Sequence, residues 1–215
     1  YRVYRMLDFA YFLIGGYIAC IYFTVLQSFV ALFFGAEFLL EDAYVIALAV
    51  NVFLGMQFEN AYNFRSTHGV FENDRSYMVL SAAANLILSL SLAHYLGVVG
   101  VMIGTIAGLW FIVYGRVQFV FRVIFRRSMK KYWWRHAWWS VVVLLEITLI
   151  NEILSASFFS STYTGLLVKC LCAALLMLGM QVLVFHRCEE FRSVCLYAVE
   201  ARDVLMSKIR GRRSQ

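Results

Sequence analysis

The 215 residues contain no proline, where an average usage of about 5% would give roughly ten. Proline kinks are thereby excluded, so any bend in a helix has to come from glycine or from packing. Charge is scarce as well: Asp, Glu, Lys and Arg make up 15% of the chain, against 62% hydrophobic residues. That balance excludes a disordered chain and an ordinary soluble domain, and it places the sequence among membrane proteins. No signal peptide is expected in this stretch, since no short apolar core leads into a small-residue cleavage site. No soluble domain stands beside the apolar runs, and Tyr1-Arg2-Val3-Tyr4-Arg5 carries no initiator methionine. The chain is expected to be the end of something longer. Its five cysteines (Cys20, Cys170, Cys172, Cys188, Cys195) fall in apolar runs or the basic tail, where thiols stay reduced, so no disulfide is expected. Cys170 and Cys172 have no histidine or second cysteine pair beside them, which favours packing over metal binding.

What the chain has in quantity is apolar length. Six runs, 8–34, 42–64, 77–96, 98–120, 137–157 and 164–185, are each about the 20 residues needed to cross a hydrocarbon core of roughly 30 Å. An all-α protein of six transmembrane helices is predicted, with a lobe over 1–187 and a basic amphipathic tail over 188–215. The connections are sorted by charge. Every one of the 19 Lys and Arg residues except Lys169 lies before the first run, between the second and third, near the connection of the fourth and fifth, or after the sixth. The alternate connections, 35–41, around Gly97 and 158–163, contain none. By the positive-inside rule both ends face the cytoplasm. The net charge of +6 then belongs to a surface beside anionic lipid, and no nucleic-acid partner is implied.

Polar residues inside the runs are expensive in hydrocarbon and so point to the protein interior or a water-filled cavity. The second run carries Asn51, Gly55, Glu59 and Asn63 at four-residue spacing, with Gln57 and Asn60 nearby. Glu59 sits at a depth similar to Asp8, with Arg2 or Arg5 as the expected basic partner; a charge pair between helices and a substrate or proton role both stay open. Ser81, Asn85 and Ser89 share a face of the third run, and Gly100, Gly104 and Gly108 share a face of the fourth. Small-residue faces let helix backbones approach closely in lipid, so these two runs should form a tight hairpin. Glu152 and Lys169 match in depth and are expected to pair. Glu146 falls near the midplane with no basic partner in view, so it should be neutral or face water, and it is the candidate coupling-ion residue. Trp133, Trp134, Trp138 and Trp139 should form half of an aromatic belt at the inner interface. The tail pattern suits a helix lying on the inner leaflet.

The stretch from Phe64-Arg65 through Gly69-Val70-Phe71 and Arg75 to Asn85-Leu86-Ile87-Leu88-Ser89, then Gly97-Val98-Val99-Gly100-Val101-Met102-Ile103-Gly104-Thr105-Ile106, resembles a polysaccharide flippase. The resemblance is to the sugar-translocase branch of the multidrug/oligosaccharidyl-lipid/polysaccharide superfamily and extends to the basic run Phe125-Arg126-Arg127-Ser128-Met129-Lys130-Lys131-Tyr132. Members have two six-helix lobes, and nearly the whole chain is similar to the second, a lobe of MATE-like fold. One departure is that members commonly carry a proline before the aromatic residue and glycine that close the seventh span, where this chain has Gln27-Ser28-Phe29-Val30 before Phe33-Phe34-Gly35.

The resemblance implies a transporter in a bacterial plasma membrane, not an enzyme, which flips a sugar or oligosaccharide on a polyprenyl diphosphate for cell-surface polysaccharide synthesis. Implied partners are the lipid-linked sugar, membrane lipids, an N-terminal six-helix lobe and polysaccharide polymerase machinery; no cofactor or metal is called for. Arg65 and Arg75 are the candidates for attracting the diphosphate, because guanidinium matches phosphate geometry, and Asn51, Glu59, Asn63 and Asn85 are the candidates for lining the cavity. An exporter of organic cations is the first alternative, with Glu146 as its acidic residue. A membrane-embedded enzyme is the second, although His68, His94, His136 and His186 are dispersed and only Glu72 and Asp74 form an acidic pair at that face. A small six-span partner subunit is the third.

Overall fold

The computed structural model describes residues 1–67, 75–155 and 162–213, and all its elements are helical. They are α1 (Arg2–Phe33), a short 3-10 turn (Ala36–Phe38), α2 (Asp42–Thr67), α3 (Arg75–Phe119) running into a π-helical turn (Val120–Ile124), α4 (Lys130–Leu154), α5 (Tyr163–Phe185) and α6 (Glu189–Arg213). Five of them, the third being the 50-residue stretch Arg75–Ile124, are long and apolar enough to cross a membrane. Two of the spans begin well before their apolar runs, α1 at Arg2 and α4 at Lys130, because charged and aromatic residues extend the helices beyond the apolar stretch.

The 50-residue stretch is not straight. At Gly97 the backbone takes φ 57°, ψ −137°, a combination essentially confined to glycine, and the chain doubles back on itself. Ser81 Oγ donates to Gly108 O at 2.7 Å, Ser89 Oγ to Val101 O at 3.2 Å, and Tyr77 Oη to Gln118 Oε1 at 3.4 Å. The predicted hairpin is therefore present, with the serine face against the glycine face. A Cβ on Gly104 would lie 2.5 Å from the Ser89 nitrogen, and one on Gly108 would lie 2.8 Å from the Ser81 carbonyl oxygen. Gly115, two turns beyond Gly108, extends the same contact against the Tyr77 ring. Replacing Gly104 by leucine forces backbone against backbone, where no side chain can yield. It is expected to lower stability by roughly 1–3 kcal/mol, read as thermal unfolding in mild detergent, whereas the outward face of the hairpin already carries bulky Ile87 and Leu90, both exposed.

Helix α1 is the hub, packed against α2, α4, α5 and α6. Gly16 brings α4 and α5 close: a Cβ there would lie 3.1 Å from Val143 and 3.2 Å from Met177. One apolar cluster joins Phe9, Phe12, Phe53, Trp139 and Phe185, with Phe12 stacked on Trp139 at 4.7 Å. A second, nearer the start of α1, joins Tyr4, Phe58, Val117, Phe121 and Tyr132. The expected tryptophan belt needs correcting here. Trp134, 80% exposed, and Trp138 do face outward, but Trp139 is core and Trp133 stacks on Trp110. The tryptophans come as two adjacent pairs, and neighbours on a helix lie about 100° apart, so the four cannot share a face.

The two ends of the bundle differ in charge as the loops predict. Tyr1 packs on Phe121 and Phe125 and lies under Arg127; Tyr4 meets Phe64, and Arg5 meets Glu190 of α6. The arginine-rich segments thus converge at one end. At the other, Leu40 N donates to Gln27 Oε1 at 3.1 Å and Phe33 packs on Tyr163.

Candidate functional site

The most concentrated polar chemistry lies at the arginine-rich end, between α1 and α4. Asp8, on the second turn of α1, is fully buried (0% exposed). Its Oδ2 accepts a hydrogen bond from Arg135 Nη2 at 2.6 Å, and Nε2 of His136 lies 3.0 Å from the same oxygen. Neighbouring positions on α4 can reach one carboxylate because Arg135 extends from the edge of the buried face, 20% exposed and laid over the Trp139 ring at 4.8 Å, while His136 points straight inward. His136 is clamped by rings, with Tyr132 at 4.1 Å and Phe58 at 5.9 Å. Asp8 Oδ1 and His136 Nδ1 are buried with no hydrogen-bond partner among the described residues.

A second ion pair, Arg5 with Glu190, fastens α6 to α1. Phe191 and Val194 add apolar contacts to the main core from the same helix. Burial pushes the Glu190 carboxyl up, but the Arg5 hydrogen bond and the charges of Arg5 and Arg135 outweigh it and hold the group below its ordinary value. Charges of alternating sign, Arg5, Glu190, Arg135 and Asp8, therefore link α1, α6 and α4. A carboxyl depressed in the folded state contributes stability above its unfolded value, near about 4.3, and loses it as pH falls through the folded value. Hydrogen exchange along the first turns of α6 is expected to be slow at neutral pH and to accelerate below that range. Glu190→Gln should make the exchange faster at neutral pH and remove the acid step.

These pairings correct two sequence expectations. Arg2 or Arg5 is the partner expected for Glu59, but Arg5 goes to Glu190, and Asp8, at the depth of Glu59, draws its partners from α4. Lys169 was expected to meet Glu152; instead its Nζ donates to Ser28 Oγ of α1 at 2.9 Å, and Glu152 is exposed. The reason is that α5 leans on α1, so the long Lys169 side chain reaches the hub helix first.

The candidate binding residues do not gather in one cavity. Asn51 Nδ2 donates to Ala47 O at 3.2 Å and Met102 O at 3.3 Å, stitching α2 to α3, and Asn63 Nδ2 donates to Tyr11 Oη at 3.0 Å, stitching α2 to α1. Asn85 Oδ1 accepts from Ser89 Oγ at 2.8 Å inside the hairpin. Glu59 is half-buried, Arg65 is buried in the last turn of α2, and Arg75 is exposed at the start of α3. The loop motif between those arginines, with Gly69, Phe71, Glu72 and Asp74, lies outside the described residues, as does His68. Glu146 is 2% exposed, near Cys20, and neither carboxylate oxygen has a hydrogen-bond partner among the described residues. Asn60, beside the polar stripe, donates from Nδ2 to Tyr4 O at 3.1 Å, while the Asp8–Arg135–His136 cluster is not among the candidates that the sequence pattern gives. For the cluster the available signal was a histidine and an arginine at the depth of a lone aspartate. No family model, curated protein or solved structure matches this chain.

Proposed function

We propose that this chain is one lobe of a polysaccharide flippase, which moves a sugar on a polyprenyl diphosphate between the leaflets of a bacterial plasma membrane. The observation that carries the reading is the hairpin closing at Gly97. The residues that resemble the sugar-translocase family, Asn85 to Ser89 and Gly100 to Gly108, are those that bring the two arms of α3 into contact. Counting those arms separately gives six crossings with both ends at the arginine-rich, cytoplasmic side. That is the number and parity required of a lobe of MATE-like fold joined to an N-terminal lobe. The physical task is to carry a hydrated anion through hydrocarbon while its lipid tail stays in the bilayer, and two lobes rocking about a central site accomplish it. Exposed Arg75 and the surrounding cations draw the diphosphate to the inner mouth. Arg65, buried in α2, supports that mouth from within. Asn51, Asn63 and Asn85 fix the helices that frame the path, and Glu59, half-buried on the same stripe, is left as the residue of that set to face cargo.

The test uses the full-length protein in vesicles loaded with a short-chain polyprenyl diphosphate sugar, reading its exposure on the far leaflet. The reading expects translocation above empty vesicles, reduced by Arg75→Ala without loss of folded protein. Translocation by Arg75→Ala at the wild-type rate removes that residue from the mouth, and no translocation of any polyprenyl diphosphate sugar removes the reading. One observation favours a second reading, a cation exporter: the buried Glu146, whose carboxylate has no hydrogen-bond partner among the described residues. Binding of an organic cation such as ethidium, lost in Glu146→Gln, would select it.

A further inference from the structure

An apolar cleft of about 350 Å³ runs between α2 and α4, with α1 as its floor. Ala49 and Phe53 stand on one wall, Val143 and Ile147 on the other, and Ala19 and Phe23 on the floor. The two hydroxyls on the α4 wall are occupied by their own helix: Ser140 Oγ donates to His136 O at 2.8 Å, and Thr148 Oγ1 to Leu144 O at 3.0 Å. Both hydroxyl hydrogens are thus used within α4 and the rest of the lining is hydrocarbon, so the side chains offer a polar ligand no free donor, and water, which needs two or more polar partners, is poorly held there.

Shape and depth narrow the occupant further. The α4 wall starts about ten residues, or roughly 15 Å, inside the helix start at Lys130, at the depth of hydrocarbon. One turn toward the arginine-rich end the cleft is stopped, because Phe58 of α2 meets Trp133 and His136 of α4 and Trp110 of α3, with ring centroids 5.6 to 5.9 Å apart. The opposite, open side continues into the surface that the spanning helices turn to lipid, through exposed Ile46 and Leu144 on the two rims. A helix, about 10–12 Å across with its side chains, is too wide for a space of this volume. A single hydrocarbon chain is not.

We propose that one acyl chain of a phospholipid, entering from the leaflet at the arginine-poor end, is seated in this cleft as a fixed part of the folded protein. The inference rests on the membrane-crossing helices alone and stands apart from the transport reading. Leaving such a cleft empty forfeits the dispersion contacts of every residue that lines it, so an ordered chain there holds α2 and α4 at a set separation over α1.

The experiment is native mass spectrometry of the full-length protein after extensive washing in mild detergent. One phospholipid per chain is expected to survive the wash in the wild type. Ala49→Phe, which fills the cleft, should cut the retained fraction at least about tenfold, equivalent to roughly 1.4 kcal/mol of binding, whereas Leu175→Phe on the exposed face of α5 should leave it unchanged. Since a filled cleft can also disturb packing, a second measurement needs no variant. A phospholipid with a photoactivatable diazirine on its acyl chain, irradiated after the wash, should label residues 46–54 and 140–148. Four results would overturn the proposal: a polyprenyl phosphate retained in place of the phospholipid, label confined to other segments, undiminished retention in Ala49→Phe, or no lipid left on the washed wild type.

Discussion

Asp8→Ala is expected to destabilise the protein by about 3–5 kcal/mol, the range for removing one partner of a buried ion pair. The carboxylate is fully buried and its Oδ2 serves both Arg135 and His136. Its loss leaves a guanidinium and an imidazole facing an apolar gap between α1 and α4. Part of the cost is relieved because Arg135 retains some exposure and can swing toward the headgroups. The sharper check is therefore a double-mutant cycle. Asp8→Ala and Arg135→Ala, each measured by reversible unfolding in detergent, should show a coupling of roughly 0.5–3 kcal/mol. Asp8→Ala within about 0.5 kcal/mol of wild type, the ordinary scatter of surface substitutions, would mean that this cluster does not hold α1 to α4. The same cycle on Arg5 and Glu190 should give less, since both side chains of that pair keep contact with solvent and exposed pairs are worth little.

How far the sequence foretold these features depends on the physics that sets each one. The hairpin was legible because the force that closes it, backbone approach across small residues in lipid, leaves a direct mark at Gly100, Gly104 and Gly108. Gly115 extends the contact but follows Gly108 at seven residues, so a search at four-residue spacing passes over it. The partner of Asp8 was not legible. Arg135 is 127 residues away, and depth alone admits most of the cations at that end of the bundle. Only the rotation of α4 decides among them. That rotation was nonetheless written in the sequence, in an inverted form. In water the buried face of a helix is its apolar one; in lipid both faces are apolar, and the rare polar residue marks the inside. His136 and Glu146 mark it on α4, and Tyr132, Trp139, Val143 and Ile150 fall on the same face at helical spacing, all buried. Trp134, Trp138, Leu145 and Leu149 fall opposite and are exposed. Reading the tryptophans as an interfacial belt used their composition and ignored that angle.

Glu146 yields the second large effect, of opposite sign. A carboxyl at 2% exposure with neither oxygen hydrogen-bonded among the described residues lowers stability by the cost of an unsatisfied buried polar group, about 1–3 kcal/mol. Val143, Ile147 and Ile150 surround it on its own helix, so an apolar side chain of similar volume meets apolar neighbours. Glu146→Met is therefore expected to raise the unfolding free energy in detergent by about 1–3 kcal/mol, and Glu146→Gln, which keeps an amide to satisfy, by less. Such breaks in local consistency concentrate at functional sites, so a carboxyl that lowers the stability of the core is a candidate for a role outside the fold. The stability measurement thus bears on function. If Glu146→Met stabilises the fold and leaves transport by the full-length protein untouched, the residue is idle. If it stabilises the fold and abolishes ion-driven transport, the carboxyl is the coupling site. If it destabilises the fold, a water or an ion satisfies the carboxyl in the native protein, and the polar interior of the helix bundle extends to the depth of Glu146.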